Sequence, residues 1–284
     1  MSNLEISRAE RLDQYVVRQM PTFSRSFAAR IIEEGQVLVN GQAQLKAGYK
    51  IRPDDRIEIT YDMAEQEQIP HIELPVIYED DDCVVINKPI GLLTHSKGTF
   101  NPEATVSTWL RGRMKAMSGE RAGIVHRLDR ATSGVMICAK TPESLGWLQK
   151  QFSQRKTKKS YAAVVTGTMN EPEALIDMPI ERNPKKPQTF RVGNNGKSAL
   201  TAYKVIRTDG RTSLLDLKPT TGRTHQLRVH MAQLGHPIIG DTLYGGEPAE
   251  RLFLHAHTLE ITLPDRERKT FEVPVPPEFK GMVK

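Results

Sequence analysis

The spacing of apolar residues predicts a small folding unit near the start of the chain. In ERLDQYVVRQM, residues 10–20, apolar side chains recur every three or four positions, which predicts a helix. A second helix, SRSFAARIIEEG, can begin after Ser24 as its N-cap and end at Gly35. VLVNG then predicts a strand that enters a turn at Asn40–Gly41, and IRPDDRIEIT, residues 51–60, predicts a turn and a closing strand.

The pattern of apolar positions changes after residue 75. VIYEDDDCVVINKP predicts two short strands around an acidic turn. Further strand-like runs are GVMICAK, YAAVVTG, SLLDLKP and FLHAHTLEITL, and helical stretches begin at PESLGWLQKQF and THQLRVHMAQLG. The sequence has no fixed-period repeat and no regular alternation of strands with helices. It therefore predicts an α+β domain with a mixed, mostly antiparallel sheet rather than a doubly wound parallel one.

A polar segment separates the two patterns. Residues 61–75, YDMAEQEQIPHIELP, are acidic and proline-containing, a composition typical of a linker. We therefore predict a small N-terminal α/β domain over residues 1–62, a linker over 63–75 and a larger domain over 76–284.

The charge of the chain narrows the class of partner. Its 284 residues carry a net charge of +6 with a pI of about 9.2, which favours a polyanion such as nucleic acid. Cys83 and Cys138 lie inside apolar runs, which predicts two buried strand thiols and is typical of a reducing compartment. The first residues lack the apolar core of a signal peptide, and no apolar run is long enough to cross a bilayer. We expect a cytoplasmic protein with no membrane partner.

The segment GIVHRLDRATSG, residues 123–134, contains an aspartate among arginines. Arg127 precedes Asp129 by two positions and Arg130 follows it directly, so the surrounding positive charge favours the ionised carboxylate. The segment is loop-like and leads into a strand, and loops carried by a rigid sheet are common places for catalysis. The alternative is a turn aspartate that hydrogen-bonds its own backbone.

The segment LKPTTGRTHQLRVH, residues 217–230, offers a cation for that carboxylate. Arg223 follows a glycine and precedes the helical stretch, and its guanidinium could hold a carboxylate through two hydrogen bonds. One alternative is a basic helix face in solvent. Another is a metal site formed by His225, His230 and His236, but their spacing matches no common zinc pattern, and we expect no metal.

The segment QRKTKKSYAAVV, residues 154–165, runs from a basic stretch into a strand. The side chains that could contact phosphate, if they line a groove, are those of Gln154, Arg155, Lys156, Lys158 and Lys159. Tyr161 could stack on a base, or it could be ordinary half-buried packing. In NKPIGLLTHS, Lys88 and Pro89 predict a tight turn.

The number of carboxylates separates two kinds of sugar chemistry. Glycosidases usually need two carboxylates, whereas one segment offers Asp129 and the other offers arginines with Asp216 beside them. A single ionised aspartate held by an arginine suits attack, or charge stabilisation, at an anomeric carbon when the leaving base needs no strong acid. Uracil leaves as a delocalised anion, and in a site that excludes water it can rejoin the ribose through another atom.

Four of these motifs, in this order, resemble those of the RluA-type RNA pseudouridine synthases over roughly residues 75–280. HRLDRATSG and LKPTTGRTHQLR resemble the signature segments, NKPIG resembles the first motif, and Lys159–Tyr161 resembles the intervening one. Residues 10–60 resemble the RNA-binding domain of small-subunit ribosomal protein S-four, through RLDQYV, SRSFAARIIEEGQVLVNG and IRPDDRIEI.

The resemblance implies an isomerase that converts uridine in RNA to pseudouridine without a cofactor or metal. It implies a bent sheet crossed by a cleft with the catalytic Asp129 at its centre, and whether Asp129 attacks the ribose, attacks the base or takes a ribose proton stays open. Arg223 would pair with Asp129, and Tyr161 would lie against the flipped uracil and help to remove its 5-proton. The residues expected to bind substrate are His126 and Leu227 as pocket walls, Arg127 in the gap left by the extruded base, and Lys88, Arg155, Lys158 and Lys159.

Two other functions stay open. A non-catalytic RNA-binding protein accounts for the charge and the first domain, but not for a carboxylate embedded among arginines. A hydrolytic glycosidase would release free uracil or leave an abasic site. The expected substrate is large-subunit ribosomal RNA, with transfer RNA as the alternative, and we expect a monomer.

Overall fold

The computed structural model describes residues 10–21, 23–61, 70–96, 103–118 and 121–284. These residues form two compact units. We call the described part of Met1–Ile72 and His95–Trp109 the N-terminal unit, and the described part of Glu73–Thr94 and Leu110–Lys284 the large unit.

The predicted linker lies only partly within the described residues. Residues 63–69 are outside them, and residues 70–75 form neither helix nor strand. The predicted domain limits, 1–62 and 76–284, stay predictions.

In the N-terminal unit, the helices and strands follow the predicted order. They are β1 (Glu10–Arg11), α1 (Leu12–Gln19), α2 (Arg25–Glu33), β2 (Val37–Val39), β3 (Gln42–Ala43), β4 (Lys50–Ile51) and β5 (Ile57–Ile59). The helix α2 begins at the predicted cap, because the backbone N–H of Phe27 donates to the Ser24 hydroxyl at 3.1 Å. The strands β2 and β3 form a hairpin across Asn40 and Gly41, whose φ angles of 54° and 82° fit a turn that needs positive φ at both positions.

The rest of the chain has longer strands than the N-terminal unit. Its strands are β6 (Val76–Glu79), β7 (Cys83–Lys88), β8 (Ser133–Ala139), β9 (Lys158–Thr166), β10 (Glu173–Asp177), β11 (Ile180–Arg182), β12 (Phe190–Val192), β13 (Leu200–Thr208), β14 (Thr212–Pro219), β15 (Leu254–Thr262) and β16 (Arg268–Glu272). Its helices are α3 (Val106–Leu110), α4 (Pro142–Ser153), α5 (Gln226–Gln233) and α6 (Pro277–Gly281), with short 3₁₀ helices at Arg111–Arg113 and Thr242–Tyr244.

The large unit is built around a nine-stranded sheet in the order β10–β13–β14–β9–β15–β8–β7–β6, with β16 paired to β15. Among the described strands of this sheet, β8 and β15 run parallel and the other pairs are antiparallel. The prediction of a mixed, mostly antiparallel sheet is therefore confirmed. The strands β11 and β12 form a separate hairpin outside the sheet.

The parallel pair depends on a glycine. Gly134 in β8 has a φ of 118°, and a Cβ atom there would lie 2.1 Å from the carbonyl oxygen of Ala256 in β15. No side chain tolerates such a contact, so only glycine lets β8 approach β15 this closely. The loop that precedes β8 is thereby held beside the middle of the sheet.

Burial along the strands follows the apolar runs of the sequence. The strand β8, SGVMICA, is buried along its whole length, and the Cys83 and Cys138 thiols are free and buried, as predicted. Tyr161 in β9 pairs with Leu217 in β14 and Ala256 in β15, so these three side chains share one face of the sheet. Within the described ranges, every helix is too short or too polar to cross a bilayer.

Candidate active site

The loop that carries Asp129 is fixed by hydrogen bonds to its backbone. The Thr94 hydroxyl donates to the carbonyl oxygen of Leu128 at 2.8 Å. The backbone N–H of Thr132 donates to the carbonyl oxygen of Asp129 at 3.0 Å, which closes a turn just before β8. None of these bonds uses the Asp129 carboxylate, so its side chain is available to a ligand.

Lys88 lies beneath this loop as a fully buried cation. Its Nζ donates to the carbonyl oxygens of Pro89 and Leu92, both at 2.9 Å, and to that of Arg130 at 3.5 Å. Burial lowers the pKa of the Lys88 ammonium to about 8, and the charge of Asp129 opposes that shift. The expectation that Lys88 contacts substrate is corrected by this placement, because the side chain has no accessible surface and instead ties two loops together.

Replacing Lys88 with methionine should change how stability depends on pH. The unfolded chain keeps this proton up to about pH 10.5, whereas the folded protein loses it near pH 8, so folding releases a proton between these values. The stability of the wild type therefore rises through this window, by at most about 3 kcal/mol from this group, and Lys88→Met lacks that rise. Urea unfolding of both proteins between pH 7 and about pH 11 measures this difference in the free energy of unfolding. Parallel pH profiles for the two proteins would contradict the assignment.

The wall of the pocket facing Asp129 is the turn that leads into α5. The buried Gln226 holds this turn: its amide donates to the carbonyl oxygen of Leu200 at 3.0 Å, and its Oε1 accepts from the Thr221 hydroxyl at 2.7 Å. The same Oε1 accepts from the backbone N–H of Arg223 at 3.0 Å. The glutamine of the THQ sequence is therefore a structural residue that sets where α5 begins.

Two side chains from the start of α5 face the Asp129 carboxylate. His225 Nε2 lies 3.8 Å and Arg228 Nη1 lies 3.9 Å from Asp129 Oδ2. Arg228 is buried and also donates to both oxygens of Asp241, from Nε at 2.7 Å and from Nη2 at 2.6 Å. Burial acts to lower the pKa of Arg228, but its hydrogen bonds to Asp241 and the negative charge of that carboxylate outweigh burial and raise the pKa above its ordinary value. A permanent positive charge therefore stands beside Asp129.

The arginine that pairs with Asp129 is Arg228 and not the predicted Arg223. Arg223 Nε donates to the carbonyl oxygen of Ser198 at 3.0 Å, and among the described residues no ion pair joins it to Asp129. Arg223 precedes the first turn of α5, whereas Arg228 lies within it. The sequence alone does not distinguish the two arginines, because which of them faces Asp129 depends on where α5 begins in the folded chain.

These groups line a pocket beside Asp129 that is open to solvent on one side. Tyr161 from β9 and Leu227 from α5 are among its lining residues. Its cationic lining residues are Arg127, Lys159, Arg223 and Arg228, and among the described lining residues Asp129 is the one acid. Burial, followed by the negative charge of Asp129, raises the pKa of Tyr161 above its ordinary value, so its phenol is protonated at neutral pH.

An open groove adjoins the pocket, and the two share Arg127, Lys159, Tyr161 and Arg223. The groove is also lined by Arg155 and His126. His126 stacks on Phe152 with ring centroids 4.4 Å apart, and its Nε2 accepts from the backbone N–H of Ile137 at 3.2 Å. Burial lowers the pKa of His126 to about 3, so the imidazole is neutral. His126 is therefore a wall of the groove rather than of the pocket.

The two lysines at the start of β9 have different surroundings. Lys159 lines both cavities, its Nζ donates to the carbonyl oxygen of Thr221 at 3.4 Å, and burial lowers its pKa to about 8. Lys158 is exposed and pairs with Glu260 at 3.1 Å. Among the described lining residues, Lys159 belongs to both pocket and groove and Lys158 to neither, and the predicted substrate contacts of both lysines stay predictions.

The histidines weighed as a metal site bond to separate partners. His225 Nδ1 lies 2.7 Å from the Tyr244 hydroxyl, His230 lies 3.0 Å from the Thr201 hydroxyl, and His236 lies 2.9 Å from the carbonyl oxygen of Thr166. The described residues contain no cluster of three side chains that could hold a metal ion.

Comparison with protein families gives two matches. Residues 82–233 match the family described as RNA pseudouridylate synthase, and residues 10–57 match the S4 domain. The first match spans more than half of the 284 residues and contains both segments that build the pocket.

Individual relatives extend the similarity to almost the whole chain. An uncharacterized RNA pseudouridine synthase of Aquifex aeolicus is 38% identical over 96% of this chain and 92% of its own length. The ribosomal large subunit pseudouridine synthase D of Borreliella burgdorferi is 38% identical over 95% of this chain and 88% of its own length. The solved structure of human RNA pseudouridylate synthase domain containing 1 has a TM-score of 0.60 and 30% identity, and covers 71% of this chain and 83% of its own. The chain therefore belongs to the RNA pseudouridylate synthase family, with an S4 domain at its start, and is an isomerase of uridine in RNA.

Proposed function

We propose that this isomerase converts uridines of large-subunit ribosomal RNA to pseudouridine, with Asp129 as its catalytic carboxylate acting on a nucleoside turned out of the RNA. Relatives that align over most of the chain carry the name ribosomal large subunit pseudouridine synthase D, which supports the choice of RNA. A transfer RNA substrate is the alternative.

The observation that carries the proposal is the isolation of Asp129 among cations. It is the one acid among the described residues that line the pocket, and Arg228 and His225 approach the same oxygen. A hydrolytic glycosidase needs a second carboxylate to protonate the leaving group or activate water. A lone carboxylate beside a fixed guanidinium suits a reaction in which the base leaves as an anion and is recaptured.

The isomerisation replaces one bond to the ribose with another. The bond from the anomeric carbon to uracil N1 breaks, and its electron pair passes to the base. After the base turns, the anomeric carbon bonds to C5, C5 loses its proton, and N1 gains a proton. Reactant and product contain the same atoms, so the reaction needs no oxidant, reductant or second substrate. Arg228 supports the charge of Asp129 at the start and end of this sequence.

The shape and charge of the surface around Asp129 support extrusion of the target base. An enzyme that acts on a base inside a helix must turn it out into a pocket. Arg127 is exposed where pocket and groove meet, and we assign it to the space that the base vacates. The neutral phenol of Tyr161 and the Leu227 side chain provide apolar surface for the uracil ring.

We assign RNA backbone contacts to the groove and to the N-terminal unit. Arg155 and Lys159 contribute positive charge to the groove. In the N-terminal unit, the buried Asp13 carboxylate holds Arg11 at 2.9 Å and Arg25 at 3.0 Å, while both arginine side chains stay about half exposed. Guanidinium groups fixed in this way are prepared to bind phosphate.

An assay with uridine tritiated at its 5-carbon tests the proposal. We expect the full chain to release tritium from large-subunit ribosomal RNA in step with pseudouridine formation, with no free uracil and no change in RNA mass. Free uracil or abasic sites would indicate a hydrolase, and binding without tritium release would indicate a non-catalytic protein. Tritium release from transfer RNA but not from ribosomal RNA would identify transfer RNA as the substrate.

A further inference from the structure

His225 joins the catalytic aspartate to two other elements of the large unit. It stands at the start of α5 with a φ of 56°, in the left-handed region. Its Nε2 lies 3.8 Å from Asp129 Oδ2, and its Nδ1 lies 2.7 Å from the hydroxyl of Tyr244. That hydroxyl accepts from the backbone N–H of Phe190 in the β11–β12 hairpin at 2.9 Å. The contacts form a chain from Phe190 to Asp129.

Counting donors assigns the protons in this chain. The Tyr244 oxygen accepts from Phe190, and Nδ1 of His225 lies within hydrogen-bond distance as an acceptor for the one hydrogen that the hydroxyl can donate. An imidazole that accepts at Nδ1 carries its hydrogen on Nε2 when it is neutral. That hydrogen is on the ring nitrogen that faces the Asp129 carboxylate.

We infer that His225 is a positioning residue, which donates from Nε2 to Asp129 and orients its carboxylate for reaction, and that Tyr244 acts through it by selecting this tautomer. The inference rests on the proposed catalytic role of Asp129. The inference requires the 3.8 Å separation between His225 Nε2 and Asp129 Oδ2 to shorten to hydrogen-bond length in the complex with RNA, as catalytic hydrogen bonds commonly do.

The charges around His225 support a neutral imidazole. Burial lowers its pKa; Asp129 and Asp241 act to raise it, whereas Arg228 and Arg127 act to lower it. Protonation at Nδ1 would also displace the hydrogen that Tyr244 donates there. The donor to Asp129 is therefore a neutral N–H group near neutral pH, and acidification would turn it into a competing cation.

The substitution His225→Asn tests the donor. Asparagine tolerates the left-handed backbone of this position but is too short to reach Asp129. We expect kcat to fall about 10- to 100-fold, as for a displaced reacting group, with KM for RNA nearly unchanged. The matched control is His236→Asn, whose imidazole bonds to the Thr166 carbonyl oxygen outside the site, and its kcat should equal that of the wild type.

The substitution Tyr244→Phe tests the tautomer. It removes the hydroxyl but keeps the aromatic ring, over which the Arg228 guanidinium lies 5.0 Å from the centroid. Without the hydroxyl donor, Nδ1 takes a proton more readily, so the acid limb of the kcat profile should move to higher pH. In the His225→Asn background, Tyr244→Phe should add little further loss, because both changes interrupt one chain of contacts.

The outcomes separate this inference from the proposed function. Wild-type kcat in His225→Asn, or an unmoved acid limb in Tyr244→Phe, would overturn the role of His225 even if Asp129→Asn is inactive. A purely structural network would lower the melting temperature and kcat and raise KM in each variant, with effects that add in the double variant. That result would also overturn the role of His225. Full activity in Asp129→Asn would instead overturn the proposed function itself.

Discussion

Replacing Asp129 with asparagine is expected to abolish isomerisation while RNA affinity stays near that of the wild type. Asparagine has nearly the same shape, but its neutral amide can neither attack nor stabilise a cationic sugar. The loop should keep its place, because Thr94 and Lys88 hold it through backbone carbonyl groups rather than through the carboxylate. We expect tritium release to fall at least about 10³-fold, as when a central catalytic group is removed.

The matched control for Asp129→Asn is Asp81→Asn. The Asp81 side chain is 94% exposed and pairs with Lys115, and a surface pair of this kind contributes little to stability. Its rate and RNA affinity should equal those of the wild type. A rate in Asp129→Asn within about tenfold of the wild type would remove Asp129 from the chemistry. Loss of RNA binding in Asp129→Asn would show that the carboxylate maintains the RNA-binding surface rather than taking part in the reaction.

Local features of the fold could be predicted because their causes are adjacent in the chain. The cap at Ser24 and the turn at Asn40–Gly41 involve residues at most three positions apart. The long strands also have a local cause, since a short, largely apolar run with β-branched residues such as SGVMICA favours a buried strand. The prediction of a mixed sheet rests on the absence of a regular strand–helix alternation in the sequence.

The partners of the candidate site residues could not be predicted because they meet only in the folded chain. Arg223 and Arg228 are the same residue type five positions apart, and the anchoring of Gln226 to the Leu200 carbonyl decides which one faces Asp129. The resemblance of NKPIG to a family motif predicts a substrate contact for Lys88, but the folded chain buries this side chain completely. The carbonyl groups that make its burial tolerable come from a turn and a loop far apart in sequence.

Replacing Arg228 with methionine is expected to reduce both stability and activity severely. The side chain of Asp241 has no exposed surface, so the loss of its bidentate partner leaves a buried charge without compensation. Such a loss costs about 3–5 kcal/mol of unfolding free energy. Asp129 loses its fixed cation at the same time, so we expect isomerisation to fall at least about 10²-fold. Urea unfolding and tritium release measure the two effects separately.

A double variant, Arg228→Met with Asp241→Leu, separates the structural role of Arg228 from its catalytic one. Removing both charges leaves no unpaired ion in the core, so most of the stability should return. The rate should not return, because Asp129 still lacks its cation. The control Arg223→Met should cost less than about 0.5 kcal/mol, since Arg223 is partly exposed and donates to a backbone carbonyl. Recovery of the rate together with stability in the double variant would mean that Arg228 only supports α5, and that Asp129 needs no arginine.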